Sequence, residues 1–187
     1  MRYNSFGNRR RRGTMRKRLN MRLANGVASA AIVCFFLLHG LLGSFAFALP
    51  SAHPFLWVVW IGVGFVVLHV MLSVVTSYQQ LTDVEFPPSS RKKRHLALKW
   101  FTGILLACSI VTHIACARVP GLVASFPLLP TLATVVLSIV LAWHICVGMK
   151  SLLKDIGLSK RLMTPLRIVM CVLAAVFCFM TLVYPML

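Results

Sequence analysis

PTLATVVLSIVLAWHICVGMKSLL, residues Pro130 to Leu153, is apolar throughout except for Lys150 near its end, with His144 well inside it. As a helix it is roughly 36 Å long, enough to cross a hydrocarbon core of about 30 Å. Four more such runs lie at about 24–49, 55–77, 96–119 and 166–187. The 187-residue chain is 59% hydrophobic and 12% charged, with a mean hydropathy of +0.85. That charge content is half the roughly 25% of soluble domains, and five such runs leave too little polar surface to clothe five buried soluble helices. No alternating segments of about ten residues signal a β-barrel. The expectation is an all-α membrane protein of five transmembrane helices, one domain over 24–187, preceded by a basic arm at 1–23.

Charge sets the expected topology. The net charge of +17 and the run Arg9–Arg12 could point to nucleic acid, but the basic residues alternate by side. Nine of the twenty Lys and Arg lie in residues 1–23. Arg91, Lys92, Lys93, Arg94 and Lys99 follow the second run, and Lys150, Lys154, Lys160, Arg161 and Arg167 flank the fourth and fifth. Only Arg118 falls on the other side. The positive-inside rule then gives an amino terminus in the cytoplasm and an external carboxyl terminus. Anionic lipid headgroups account for the arm without nucleic acid. Ala46-Phe47-Ala48 looks like a signal-peptidase site, yet signal h-regions span only about 7–15 residues, so an uncleaved first helix is expected. The outer turn Pro50–Pro54 is too short for an external domain, Gln79–His95 forms an inner loop, and the apolar loop Pro120–Pro130 lies at the outer interface.

Six cysteines (34, 108, 116, 146, 171 and 178) sit in apolar runs without any CxxC, which reads as reduced packing residues. Histidine is more informative. His53 and His95 fall in loops, whereas His39, His69, His113 and His144 are distributed one to each of the first four runs. Ionisable residues inside a bilayer are costly and usually functional. Counted from the outer ends, His39 and His113 lie roughly 13 and 8 Å deep, and His69 and His144 roughly 21 Å deep. Two histidines at one level can clamp a haem iron from both sides, and helix-bundle cores house such cofactors. Helices 1–4 would thus form a bundle around two haems, His39 with His113 and His69 with His144. Gly43, Gly148 and Gly62 share faces with His39, His144 and His69, giving a flat macrocycle room. Ser73 and Ser109, each four residues from a histidine on its own helix, are candidate imidazole acceptors. A tetrahedral zinc site would need the four histidines to converge, which two levels oppose. The only acidic residues, Asp83, Glu85 and Asp155, all fall on the inner side, and no nucleophile–base pair or phosphate loop appears.

The segment from His144 through Gly148, Lys150 and Asp155 to Gly157 resembles the haem-ligand signature of succinate dehydrogenase and fumarate reductase membrane anchors, His-x3-Gly-x-Arg-His-x3-Asp-x-Gly. Lys150 stands for the arginine and Ser151 for the second histidine. Trp100, Thr102-Gly103 and His113 look like the third helix of the single-chain, five-helix, dihaem anchors. The resemblance implies a cytochrome b subunit in a cell inner (cytoplasmic) membrane with two haem b groups. It would pass electrons between membrane quinone, menaquinone or ubiquinone, and a cytoplasmic flavoprotein and iron–sulfur pair. His69 and His144 would bind the proximal haem, His39 and His113 the distal one, with Lys150 near the propionates. The chain departs from relatives that use outer or intramembrane glutamates, which puts a carboxylate proton path in doubt. Tyr78 and Gln79 are candidates for a quinone site, with interface anchoring as their ordinary role. The alternatives are a dihaem cytochrome b of another quinone-linked oxidoreductase and a haem-free membrane scaffold or transporter.

The charge distribution makes a direct prediction. Reporter tags at the two ends should find the amino terminus inside and the carboxyl terminus outside, and protease protection of a carboxyl-terminal tag from the external side would contradict it.

Overall fold

The structure, a computed structural model, describes residues 20–39, 56–83 and 87–183. The run Arg9–Arg12, Gly43, Ala46–Ala48, the Pro50–Pro54 turn with His53, and Glu85 lie outside the described residues. Six helices follow in order: α1 (Asn20–His39), α2 (Leu56–Leu81), α3 (Ser90–Arg118), α4 (Pro120–Ser125), α5 (Leu129–Asp155) and α6 (Lys160–Val183). No strand occurs among the described residues. The helices α1, α2, α3 and α5 are each long and apolar enough to cross a bilayer, so the chain is a multi-pass membrane protein. The fifth apolar run lies in α6, which begins six residues earlier than expected, at Lys160, and carries Pro165 near its start.

Helix ends differ from the sequence expectation where capping chemistry intervenes. Pro87-Pro88 disfavours helix immediately before it, and Ser89 then caps α3 by accepting from Lys92 N at 3.4 Å. The basic run Arg91–Arg94 and His95 therefore lie on the first turns of α3, not in a loop. The connection between α3 and α5 also holds structure: Pro120 starts α4 at a position where its missing N–H costs nothing, and α4 packs on α3. Just past the carboxyl end of α5, Gly157 adopts φ +80°. Glycine takes that left-handed conformation without strain, and its N–H reaches Lys154 O at 3.1 Å.

Two compact units make up the chain. The first comprises α1, α2 and the closing turn Leu152–Gly157. Its contacts advance along α1 as they retreat along α2: Asn25 meets Ser73, Ser29 meets His69, and Phe35 stacks on Phe65 with centroids 5.4 Å apart. That is an antiparallel helix pair. Arg22 of α1 also holds Asp155, with Nε donating to Oδ1 at 3.0 Å and Nη2 donating to the same oxygen. The second unit comprises α3, α4, the body of α5 and α6. Here Phe101 meets Trp143 edge-on at 6.0 Å, Thr102 meets His144 and His113 meets Thr134, so α3 and α5 are antiparallel too. Cys146 of α5 hydrogen-bonds Cys171 of α6, and all six cysteines are thiols.

Burial is inverted relative to a soluble protein. Many buried positions are small or hydroxylic, such as Ala28, Thr76, Ser77, Thr102, Ala133 and Ser138, beside Met149 and Leu153, while Trp60, Met71, Val111, Leu132, Val172 and Phe179 face outward. Lipid tails are as apolar as leucine, so helices in a bilayer associate through close packing at small residues and through polar contacts.

Gly26 is the tightest of these approaches. A Cβ there would lie 2.9 Å from Ile156 Cγ2 and 3.4 Å from the Asp155 backbone. Gly26→Val should destabilise the protein by about 1–3 kcal/mol, the usual cost of overpacking, read as a lower unfolding midpoint in detergent.

Candidate functional site

In the first unit, His69 lies on α2 opposite Ser29 of α1. The Ser29 hydroxyl donates to Asn25 O of its own helix at 2.8 Å, and the same oxygen lies 2.9 Å from His69 Nδ1. A hydroxyl has one proton, and this one is committed to the carbonyl. The Nδ1 atom must therefore be the donor, and in the neutral ring the lone pair resides on Nε2. Ser73, one turn beyond His69, sends its proton to Asn25 Oδ1 at 3.2 Å.

The second unit repeats this arrangement on different residues. Thr102 is fully buried, and its hydroxyl donates to Leu98 O at 3.0 Å and Lys99 O at 3.1 Å. His144 Nδ1 lies 2.9 Å from Thr102 Oγ1 and donates to it, which again leaves the lone pair on Nε2. Gly103 makes the approach possible, because a Cβ there would come within 3.3 Å of His144 Cε1. Farther along α3, His113 Nδ1 faces Thr134 Oγ1 at 3.4 Å, while that hydroxyl donates to Pro130 O at 2.9 Å. This contact is long for an N–H···O bond. The candidate acceptor Ser109 instead donates to Leu105 O of its own helix. The imidazole partners are thus hydroxyls on neighbouring helices.

Register places the histidines at two levels within each unit. His69 lies opposite Ser29, and His39 follows Ser29 by ten residues on α1, a rise of about 15 Å. His144 lies opposite Thr102, and His113 follows Thr102 by eleven residues on α3, a rise of roughly 16 Å. The separation in the first unit exceeds the roughly 8 Å implied by counting from the ends of the apolar runs, because the pairing, not the run length, fixes the level. His39 is exposed at the described end of α1.

The remaining candidates divide. A Cβ at Gly148 would meet nothing within 4 Å, so α5 presents open space one turn after His144. Gly62 faces Phe35, whose Cβ would be 3.6 Å away, so its face is covered by an aromatic ring of α1. Lys150 is exposed. Tyr78 is exposed and Gln79 half-buried, and consecutive helical residues project about 100° apart, so the two do not share a face. Asp155 and Gly157 of the signature hold Arg22 and close α5. Among the described residues no three His, Cys, Asp or Glu side chains gather to hold a metal ion. A bis-histidine iron needs only two, each presenting one nitrogen while the other ring N–H is held by an acceptor. His69 in the first unit and His144 in the second each meet a hydroxyl through Nδ1 at 2.9 Å, and α5 is open at Gly148.

Comparison with protein-family models, with curated proteins and with solved structures finds no match to the chain. The geometry alone predicts opposite responses at two glycines. Gly103→Val should push the His144 ring off Thr102 and destabilise the protein by about 1–3 kcal/mol. Gly148→Ala should change stability by no more than about 0.5 kcal/mol. Thermal unfolding of both variants in detergent checks the contrast.

Proposed function

We propose that the chain is a dihaem cytochrome b membrane anchor of the succinate:quinone or quinol:fumarate oxidoreductase type, in a cell inner membrane. It would span the bilayer five times, α6 included, with its amino terminus inside. The observation that carries this reading is the pair of imidazoles His69 and His144, each held through Nδ1 by a hydroxyl and each keeping its lone pair on Nε2. The resemblance of the His144–Gly157 segment to the anchor signature supports it. In this reading His69 and His144 are ligands of the inner haem, and His39 and His113 of the outer one.

A b-type haem, when bound, supplies reversible one-electron storage. The residues of the chain do the rest. The four histidines fix where the groups sit, the hydroxyls fix which nitrogen each ring presents, and Gly148 leaves α5 open to a flat ligand. Lys150 would supply the positive charge for propionates that the signature carries as arginine. The inner surface near Arg91–Arg94 and Lys150–Arg161 would receive the iron–sulfur and flavoprotein subunits, and quinone would exchange electrons from the lipid phase, with Tyr78 and Gln79 the candidate contacts.

A haem-free helix bundle is the second reading, favoured by the same hydrogen bonds, since histidine–hydroxyl pairs also join transmembrane helices. The two separate on one measurement. A pyridine hemochrome assay should give two b haems per chain with low-spin reduced spectra, and a folded chain without haem would remove the first reading. His69→Ala and His144→Ala should each delete the same haem, and His39→Ala and His113→Ala the other. If His39→Ala deleted the haem lost in His144→Ala, the pairing would be wrong.

A further inference from the structure

The hydroxyls opposite the histidines have no role in the signature, and Ser29 lies outside any motif. Yet each is built so that it can only accept from its histidine. The Thr102 proton is shared between two carbonyls of its own helix, at 3.0 and 3.1 Å, in a site with no solvent access. The Ser29 proton is fixed on Asn25 O at 2.8 Å, in a corner where Ser73 also donates to Asn25 Oδ1. Either hydroxyl would have to give up its bond to the carbonyl in order to donate to the imidazole instead.

We infer that Ser29 and Thr102 are positioning residues that lock His69 and His144 in the Nδ1–H tautomer and raise the donor strength of their Nε2 atoms. A ring that donates through Nδ1 gains electron density at the opposite nitrogen, which makes it a stronger ligand. Each hydroxyl, one in each unit, lies at the same 2.9 Å separation from its imidazole Nδ1. In the second unit the Thr134–His113 contact is longer, at 3.4 Å. The tautomer assignment follows from the hydrogen bonds alone, whereas its redox consequence rests on the haem reading proposed above.

A stronger ligand favours ferric over ferrous iron, so removing the acceptor should raise the midpoint of the haem that His69 and His144 hold. The test uses the full-length chain as purified, with Thr102→Val and Ser29→Ala as deletions, Thr102→Ser as the conservative variant and Ser109→Ala as a hydroxyl bonded only within its own helix. Thr102→Val keeps the volume of the buried side chain, so folding should survive. The expected result is an upward midpoint shift and a changed low-spin electron paramagnetic resonance signal for one haem in both deletions, with haem stoichiometry intact. Thr102→Ser should restore the original values and Ser109→Ala should leave them unmoved. Unchanged midpoint and spectrum in both deletions, with haem retained, would overturn the inference. If the wild-type chain holds no haem, the proposed function fails, and the inference is judged on nitrogen-15 imidazole shifts. An Nδ1–H ring that becomes Nε2–H in Thr102→Val upholds it, and the same tautomer in both proteins refutes it.

Discussion

Inside hydrocarbon a hydroxyl proton has no water to go to, and the carbonyl one helical turn back is the nearest acceptor. Ser29, Thr102 and Thr134 all send their protons there. Each oxygen then faces the next helix as an acceptor only, and the group that meets it must be a donor. An imidazole Nδ1 meets the oxygen at all three places, at 2.9 Å for His69 and His144 and 3.4 Å for His113, and an N–H there is the matching donor. That one restriction links helix register, ring tautomer and the level of each histidine. It also explains why Gly103 stands beside Thr102: the ring that reaches the hydroxyl passes over the neighbouring Cα, where a side chain would intrude.

The membrane-spanning character was legible because it depends on length and apolarity, which need no knowledge of contacts. The first four runs reappear in α1, α2, α3 and α5, and the ends of α2, α3 and α5 lie within a few residues of those expected. Pro87-Pro88-Ser89 could have corrected the start of α3, since a proline pair followed by a capping serine is a local signal. The imidazole partners were not legible in the same way. Sequence periodicity offers only neighbours on the same helix, and it pointed to Ser73 and Ser109. Finding Ser29 for His69 requires the α1–α2 register, forty residues away in sequence. The same limit separates Gly148 from Gly62. Both share a face with a histidine, yet only pairing reveals that Phe35 lies against Gly62 while Gly148 stays open.

Two positions of the anchor-like signature acquire a plain physical account. Asp155 is the counter-charge of Arg22, and Gly157 supplies the left-handed residue that ends α5. Neither role involves a cofactor, so half of the matching positions describe how the carboxyl end of a helix is closed and tied. The haem reading consequently leans on His144 and Gly148 and on the hydroxyl geometry. Both acidic residues among the described ones, Asp83 and Asp155, fall in the first unit.

The Arg22–Asp155 pair joins residues separated by 133 positions. During synthesis α1 and α2 can enter the bilayer and pair as soon as they leave the ribosome, because their contacts span only about forty residues. The arginine, however, waits for the carboxylate at the end of α5, made after α2, α3 and α4. The ion pair therefore marks a chain made at least through α5.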